Sequence, residues 1–348
     1  MARRYSVSMH QFFARMAISL AFVSSVVGFA GAASADCGSD PQSCAAPFGI
    51  DGLSLRLYAS LPLGSAHPEI RRAVVIVHGN EGNAEGYFKA ALAAAEAAKA
   101  AGDSLILAPH FIEQADKAVP PAGQLLWDRG GDWRAGYASS AQVRPRISSF
   151  TVMDRLVELL SDKTRYPNLA GIVIAGHSAG GQYVQRYAIL SGDRPAGAPP
   201  LRFVVANPSS YLYLDARRPD PTKPGAFSVP PDGPCATNHY KYGLERGVVY
   251  VEGAIKSVGL ASIAARFQQR PVTYLLGEND NDPNHRLLDK VCAAMAQGPT
   301  RLARGLAFKL YLESFYAPNA QRFETVPGVG HNAARMFRSP AGLAALFP

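Results

Sequence analysis

The chain has 348 residues, 48% hydrophobic and 18% charged, with 32 glycines, 26 prolines and four cysteines. That composition excludes a disordered or low-complexity chain and fits one large folded domain or two small ones. The formal net charge of +8 comes from basic residues scattered singly along the sequence, which points to a soluble cationic protein and away from a nucleic-acid partner.

In chain order, the first segment reads as a leader. Arg3, Arg4 and Arg15 stand without an acid over residues 2–15, an apolar and small-residue run follows over 16–31, and Ala33 and Ala35 form the small-x-small pattern read by a signal peptidase. Residues 1–35 are therefore expected to leave as a secretory signal, giving a secreted or periplasmic mature chain over 36–348. Loss of the three arginines takes the net charge from +8 to +5 (8 − 3). The apolar run is shorter than the roughly 18 residues of a spanning helix, so no stable membrane anchor is expected. Cys37 follows Asp36, a poor fit to a lipid-attachment site. The export route and the oligomeric state are open.

An exported chain folds where disulfides persist, and four cysteines allow three pairings. The favoured one joins Cys37 to Cys44, pinning the N-terminus, and Cys235 to Cys292. The second bridge closes a loop of about 57 residues, on the order of 4 kcal/mol in the chain-entropy model.

Beyond the leader, short apolar runs alternate with helical patterns, the signature of a mostly parallel sheet flanked by helices. Residues 53–60 alternate like an edge strand, and "AVVIVHG" (73–79) reads as a buried central strand. An alanine-rich helix follows, with Asn83 as its N-cap and Gly102 as its end. A strand over 104–110 leads into a long polar loop holding Trp127 and Trp133, then a helix over about 148–160. Strand 169–176 runs almost without a linker into "HSAGGQYVQRYAIL". Two further strands are expected at 202–208 and 271–277. Between them, about 207–270, lies a stretch rich in Pro, Gly and Tyr, too long for a structureless loop in a compact domain; it reads as a cap or lid. No internal repeat is visible, so one α/β domain with an insertion is the expected architecture.

The most informative residues are Gly176-His177-Ser178-Ala179-Gly180. The G-x-S-x-G pentad alone is weakly specific, but between a buried strand and a helix it becomes the nucleophile elbow, a strained turn that lifts a serine hydroxyl above the sheet. With this elbow, the histidine-glycine turn at 78–79, and acid and histidine candidates in the order Ser, Asp, His, the chain resembles the α/β-hydrolase superfamily over nearly its whole mature length. Within that superfamily it looks like secreted serine esterases, lipases and polyester depolymerases. The resemblance implies the α/β-hydrolase fold and a serine hydrolase acting on a small-molecule or polymeric ester substrate, with a serine peptidase or acyltransferase on the same fold, or a non-catalytic binding protein on a hydrolase scaffold, as the alternatives.

A serine hydroxyl needs a base to take its proton and an acid to orient that base. Chain order prunes the eight histidines. His10 leaves with the leader; His67, His78, His110 and His177 precede or adjoin the serine; His239 falls inside the insertion; and His285 is too close to the acidic loop. His331, in "PGVGHNAAR", is the expected base. For the acid, "YLLGENDNDPN" offers Glu278, Asp280 and Asp282. Gly277 and Asp280 reproduce the G-x-x-D turn of the family, so Asp280 is first choice and Asp282 the alternative. The same stretch fits a calcium loop poorly, because His285 stands at its sixth position and Val291 at its twelfth.

Negative charge on the former carbonyl oxygen needs preorganised N–H donors. One is expected from the Ala179 amide and the other from Asn80, in the bare turn after His78-Gly79. His177 is read as a freely varying elbow position pointing away from the nucleophile. Trp127, Tyr211 and Tyr213 are candidate substrate-binding aromatics at the carboxyl end of the sheet. No metal is assigned and no cofactor is implied, since the glycine-rich turns lack dinucleotide or P-loop spacing.

Overall fold

The computed structural model describes residues 37–113, 122–128, 132–231 and 233–348. The proposed leader therefore lies outside the described residues. The strands in chain order are β1 (Ala45–Ile50), β2 (Leu53–Ala59), β3 (Arg72–Val77), β4 (Ser104–Pro109), β5 (Gly171–His177), β6 (Leu201–Ala206), β7 (Arg218–Pro219), β8 (Phe227–Ser228), β9 (Val272–Gly277) and β10 (Arg322–Val326). The helices are α1 (Ala84–Ala97), α2 (Ser149–Leu160), α3 (Ala179–Leu190), α4 (Val249–Gln269), α5 (Cys292–Met295), α6 (Arg301–Phe315), α7 (Ala333–Phe337) and α8 (Pro340–Leu346).

Eight strands form one sheet in the order β1-β2-β4-β3-β5-β6-β9-β10, parallel from β4 to β10 and antiparallel at the β1-β2 and β2-β4 pairs. The central strands read as unbroken apolar runs because both of their faces are covered. Val75 and Val77 of β3, with Ile172 and Ile174 of β5, face a core that includes Phe150, Tyr183, Phe267 and Phe308 from α2, α3, α4 and α6. Val74, Ile76, Val173 and Ala175 face the opposite layer, with Phe88, Met336 and Leu346 from α1, α7 and α8.

Local rules set most element ends. The Asn83 side chain caps α1 by accepting from the Gly86 amide at 2.8 Å, and Ser148 caps α2 by accepting from the Phe150 amide. Helix α1 stops at Ala97, short of the expected Gly102, because Lys99 already takes a left-handed conformation (φ 55°). The stretch read as a cap over 207–270 divides in two. Its last third is α4, interrupted at Gly259 (φ 77°, ψ 159°), which packs on α3 as the crossover joining parallel β6 to β9. The residues before α4 in that stretch include the small β7-β8 hairpin. Both favoured disulfides are present, Cys37–Cys44 and Cys235–Cys292; the second ties the stretch before α4 to α5. Among the described residues no helix is long and apolar enough to cross a membrane.

The register places the carboxyl ends of the central strands side by side: Val77 of β3 pairs with Gly176 of β5, and His177 with Ala206 of β6. The chain moves from β3 to β4 on one side, then back across to β5 on the other. The crevice between β3 and β5 is therefore a topological switch point, the place where such sheets bind ligands.

Candidate active site

Ser178 sits at the tip of the turn from β5 into α3 with φ 59° and ψ −117°, a conformation that costs a non-glycine residue on the order of 1–3 kcal/mol and persists only where its surroundings enforce it. Its amide donates to the Ala206 carbonyl at 2.9 Å, which pins the turn to β6. Glycine is required on both sides. A Cβ at Gly176 would collide with the Gly180 backbone, and one at Gly180 with the Val77 and His78 carbonyls. The turn can be this tight only where the backbones meet bare.

Three segments converge on the serine. His331 follows β10 and stands just outside α7, whose N-cap Asn332 accepts from the Arg335 amide. Its Nε2 lies 2.9 Å from Ser178 Oγ, and its Nδ1 lies 2.7 Å from Asp280 Oδ2. Asp280 is 3% exposed, in the turn after β9, where its own amide donates to the Gly277 carbonyl. A serine–imidazole–carboxylate chain of these lengths can pass the hydroxyl proton to the imidazole. Asp282, the alternative acid, is exposed and uses Oδ1 to accept from the Asn284 amide. Asn207 ties the loops together from the end of β6. Its Oδ1 accepts from the Gly277 amide at 2.7 Å, and its Nδ2 donates to the Gly330 carbonyl beside His331 at 3.2 Å.

The turn after β3 forms the opposite wall. His78 is wholly buried, with Nε2 accepting from the Phe111 amide and Nδ1 donating to the Gly79 carbonyl at 2.8 Å. Burial, with the nearby His110, lowers its pKa to about 3, so it serves as a neutral strut for the turn. Among the described residues no backbone acceptor is recorded for the Asn80 or the Ala179 amide. Arg134 donates to the Asn80 side chain, fixing the turn from outside.

The cleft above these groups has a volume of about 370 Å³ and is lined by Asn80, Tyr87, His177, Ser178, His285 and His331 among others. Trp127, Tyr211 and Tyr213, the candidate substrate-binding aromatics, are not among its walls. All three are fully buried. The Trp127 ring packs edge-on against Phe111 and its Nε1 donates to the Tyr137 carbonyl. Tyr211 stacks on Phe308 of α6, and Tyr213 meets Phe308 and Tyr311. Their burial has a simple cause: rings of 150–250 Å² gain several kcal/mol by packing.

Two parts of the site were not expected from sequence. Arg301, at the start of α6, is 2% exposed; its Nη1 donates to Asp280 Oδ1 at 3.1 Å and its Nη2 lies 3.3 Å from His285 Nδ1. Burial lowers its pKa while the Asp280 carboxylate opposes that shift. His177 does not point away from the site. Its ring lies beside that of His331, with centroids 4.5 Å apart.

No protein-family model matches the sequence, and no curated protein matches it. Among solved structures, the chain is similar to poly(aspartic acid) hydrolase-1 from Sphingomonas sp. KT-1, with 23% identity and a TM-score of 0.59 over 87% of this chain and 98% of that one. It is also similar to the poly(3-hydroxybutyrate) depolymerase from Bordetella parapertussis, with 23% identity and a TM-score of 0.58 over 86% of this chain and 88% of that one. The mostly parallel eight-stranded sheet, its flanking helices and these two likenesses identify the chain's architecture as the α/β-hydrolase fold.

Proposed function

We propose that this chain is an exported serine hydrolase of carboxylic esters, with Ser178, His331 and Asp280 as its catalytic residues. The observation that carries the reading is the unbroken hydrogen-bond chain from Ser178 through His331 to Asp280, at 2.9 and 2.7 Å, on a strained elbow.

In the proposed reaction Ser178 Oγ attacks the ester carbonyl carbon as His331 Nε2 takes its proton, and Asp280 holds the resulting imidazolium in place. The carbonyl π electrons move onto oxygen, where the Asn80 and Ala179 amides receive the charge. Collapse of this intermediate breaks the bond to the alcohol, which leaves with the proton from His331. Water then repeats the sequence on the acyl-enzyme, releasing the acid and restoring Ser178. The two disulfides support function outside the cytoplasm.

The cleft is lined largely by polar side chains, with Leu287 and alanines as its aliphatic members, which favours short acyl groups. One structural neighbour is named for a polyester and the other for poly(aspartic acid), a polyamide, so polymer chains, polyester first, are the second substrate class to assay. The test is turnover of p-nitrophenyl esters, acetyl through palmitoyl, by the mature protein and its Ser178→Ala variant. The expected result is hydrolysis fastest at acetyl or butyryl and absent in the variant. Equal turnover by both proteins, or a palmitoyl optimum, would count against the assignment of the nucleophile or of the acyl class, respectively.

A further inference from the structure

Two imidazoles flank the His331 ring. His285 meets it edge-on with centroids 5.0 Å apart, and His177 lies nearer, at 4.5 Å. His177 directly precedes Ser178, is 2% exposed, and has its Nδ1 3.1 Å from the Tyr87 hydroxyl. Tyr87 stands in the first turn of α1, and the same hydroxyl presses on the turn after β3: a Cβ added at Gly79 would lie 2.6 Å from it. One hydroxyl thus touches both segments that would supply oxyanion amides, the 78–83 turn and the elbow.

We infer that Tyr87 and His177 are positioning residues: the Tyr87 hydroxyl locks the His177 ring through Nδ1, and the locked ring braces His331 beside Ser178. The inference rests on the reading of Ser178 and His331 as nucleophile and base. Burial, with His331 and Arg301 nearby, holds the His177 pKa well below the ordinary imidazole range, so the ring is neutral and one nitrogen accepts. Burial and the Glu81 carboxylate raise the Tyr87 pKa, with the Gly79 backbone opposing them, so the phenol keeps a proton to donate. With Nδ1 accepting, the His177 proton resides on Nε2, which is buried and has no hydrogen-bond partner among the described residues.

That orphan N–H argues for a role beyond packing. A buried donor without an acceptor is costly, and a leucine would fill similar space without it. What leucine lacks is a group that Tyr87 can orient and a flat neutral ring to lay beside the imidazolium that forms on His331. A charged neighbour there would oppose that imidazolium; the buried, uncharged His177 does not.

The test measures kcat, KM and Tm on p-nitrophenyl acetate for wild type, Tyr87→Phe, His177→Leu, the double variant and Ser178→Ala. Tyr87→Phe is expected to lower kcat about tenfold and His177→Leu about thirtyfold, the scale of a small misplacement of reacting groups, with KM within about twofold. Because Tyr87 acts through His177, the double variant is expected to match His177→Leu alone, where independent roles would multiply. His177→Asn, which retains a side-chain acceptor for Tyr87 but lacks the ring, replaces His177→Leu should the latter not fold. Wild-type kcat in both single variants, multiplying effects, or losses confined to Tm and KM would each overturn the inference. Ser178→Ala separates the two claims. If wild type turns over and that variant does not, a negative result sinks only the positioning roles; an inert wild type sinks the catalytic reading and this inference with it.

Discussion

His331→Ala is expected to lower kcat for p-nitrophenyl acetate by roughly 10⁴- to 10⁶-fold, the range found when a base acting in concert with a serine is removed. The size follows from the geometry. His331 Nε2 lies 2.9 Å from Ser178 Oγ, and no second ring nitrogen is recorded within hydrogen-bond reach of that hydroxyl among the described residues, although His177 and His285 flank the base. Among the described residues neither neighbour is recorded in a hydrogen bond to Asp280, and burial with Arg301 and His331 nearby lowers the His285 pKa despite Asp280 and Asp282. Steady-state kinetics on the folded variant, with circular dichroism as the check on folding, reads the effect directly. Activity within tenfold of wild type would assign the base elsewhere.

The second large effect is expected at Arg301. The Arg301–Asp280 contact is a buried ion pair, with side-chain exposures of 1% and 3% and a separation of 3.1 Å. Replacing one partner leaves the other as an uncompensated buried charge, which costs about 3–5 kcal/mol. Arg301→Met should therefore lower the free energy of unfolding, read by urea titration, by that order and lower kcat as well, because Asp280 Oδ1 loses its donor while Oδ2 still faces His331. Arg301→Lys should recover part of the stability and less of the activity: an ammonium restores the charge but not the planar fork that reaches Asp280 and His285 together. An Arg301→Met variant with wild-type stability and kcat would show that the pair is dispensable.

How much of this was legible from sequence depended on how local the physics is. The runs at 73–79 and 169–176 became β3 and β5 because strands covered on both faces carry apolar side chains in both directions. Strand β10, "RFETV", leaves most of its side chains open to solvent at the sheet edge, so its sequence lacks that signature. Edge strand β1 contains Pro47 and Gly49 and is hidden for a related reason, since proline and glycine suit an edge and weaken a strand signal. The elbow was legible because its demand falls on neighbours: Gly176 and Gly180 must be bare for Ser178 to take its turn.

Arg301 and Tyr87 were not legible. Their partners are 21 and 90 residues away, and nothing in the types or spacing of the surrounding helix residues distinguishes them from ordinary helix formers. Trp127, Tyr211 and Tyr213 show the converse: position after a strand suggests a cleft, whereas ring area favours burial, and all three are buried. His177 was misjudged because a pentad pattern says nothing about where the side chain at its second position points.

The most direct test of the central claim is reaction of the mature protein with a fluorophosphonate, followed by mass-spectrometric mapping of the modified peptide. The account predicts one phosphonyl group per chain, on Ser178, with fluoride displaced and no labelling of Ser178→Ala. An unlabelled folded wild type, or a label on another residue that persists in Ser178→Ala, would contradict it.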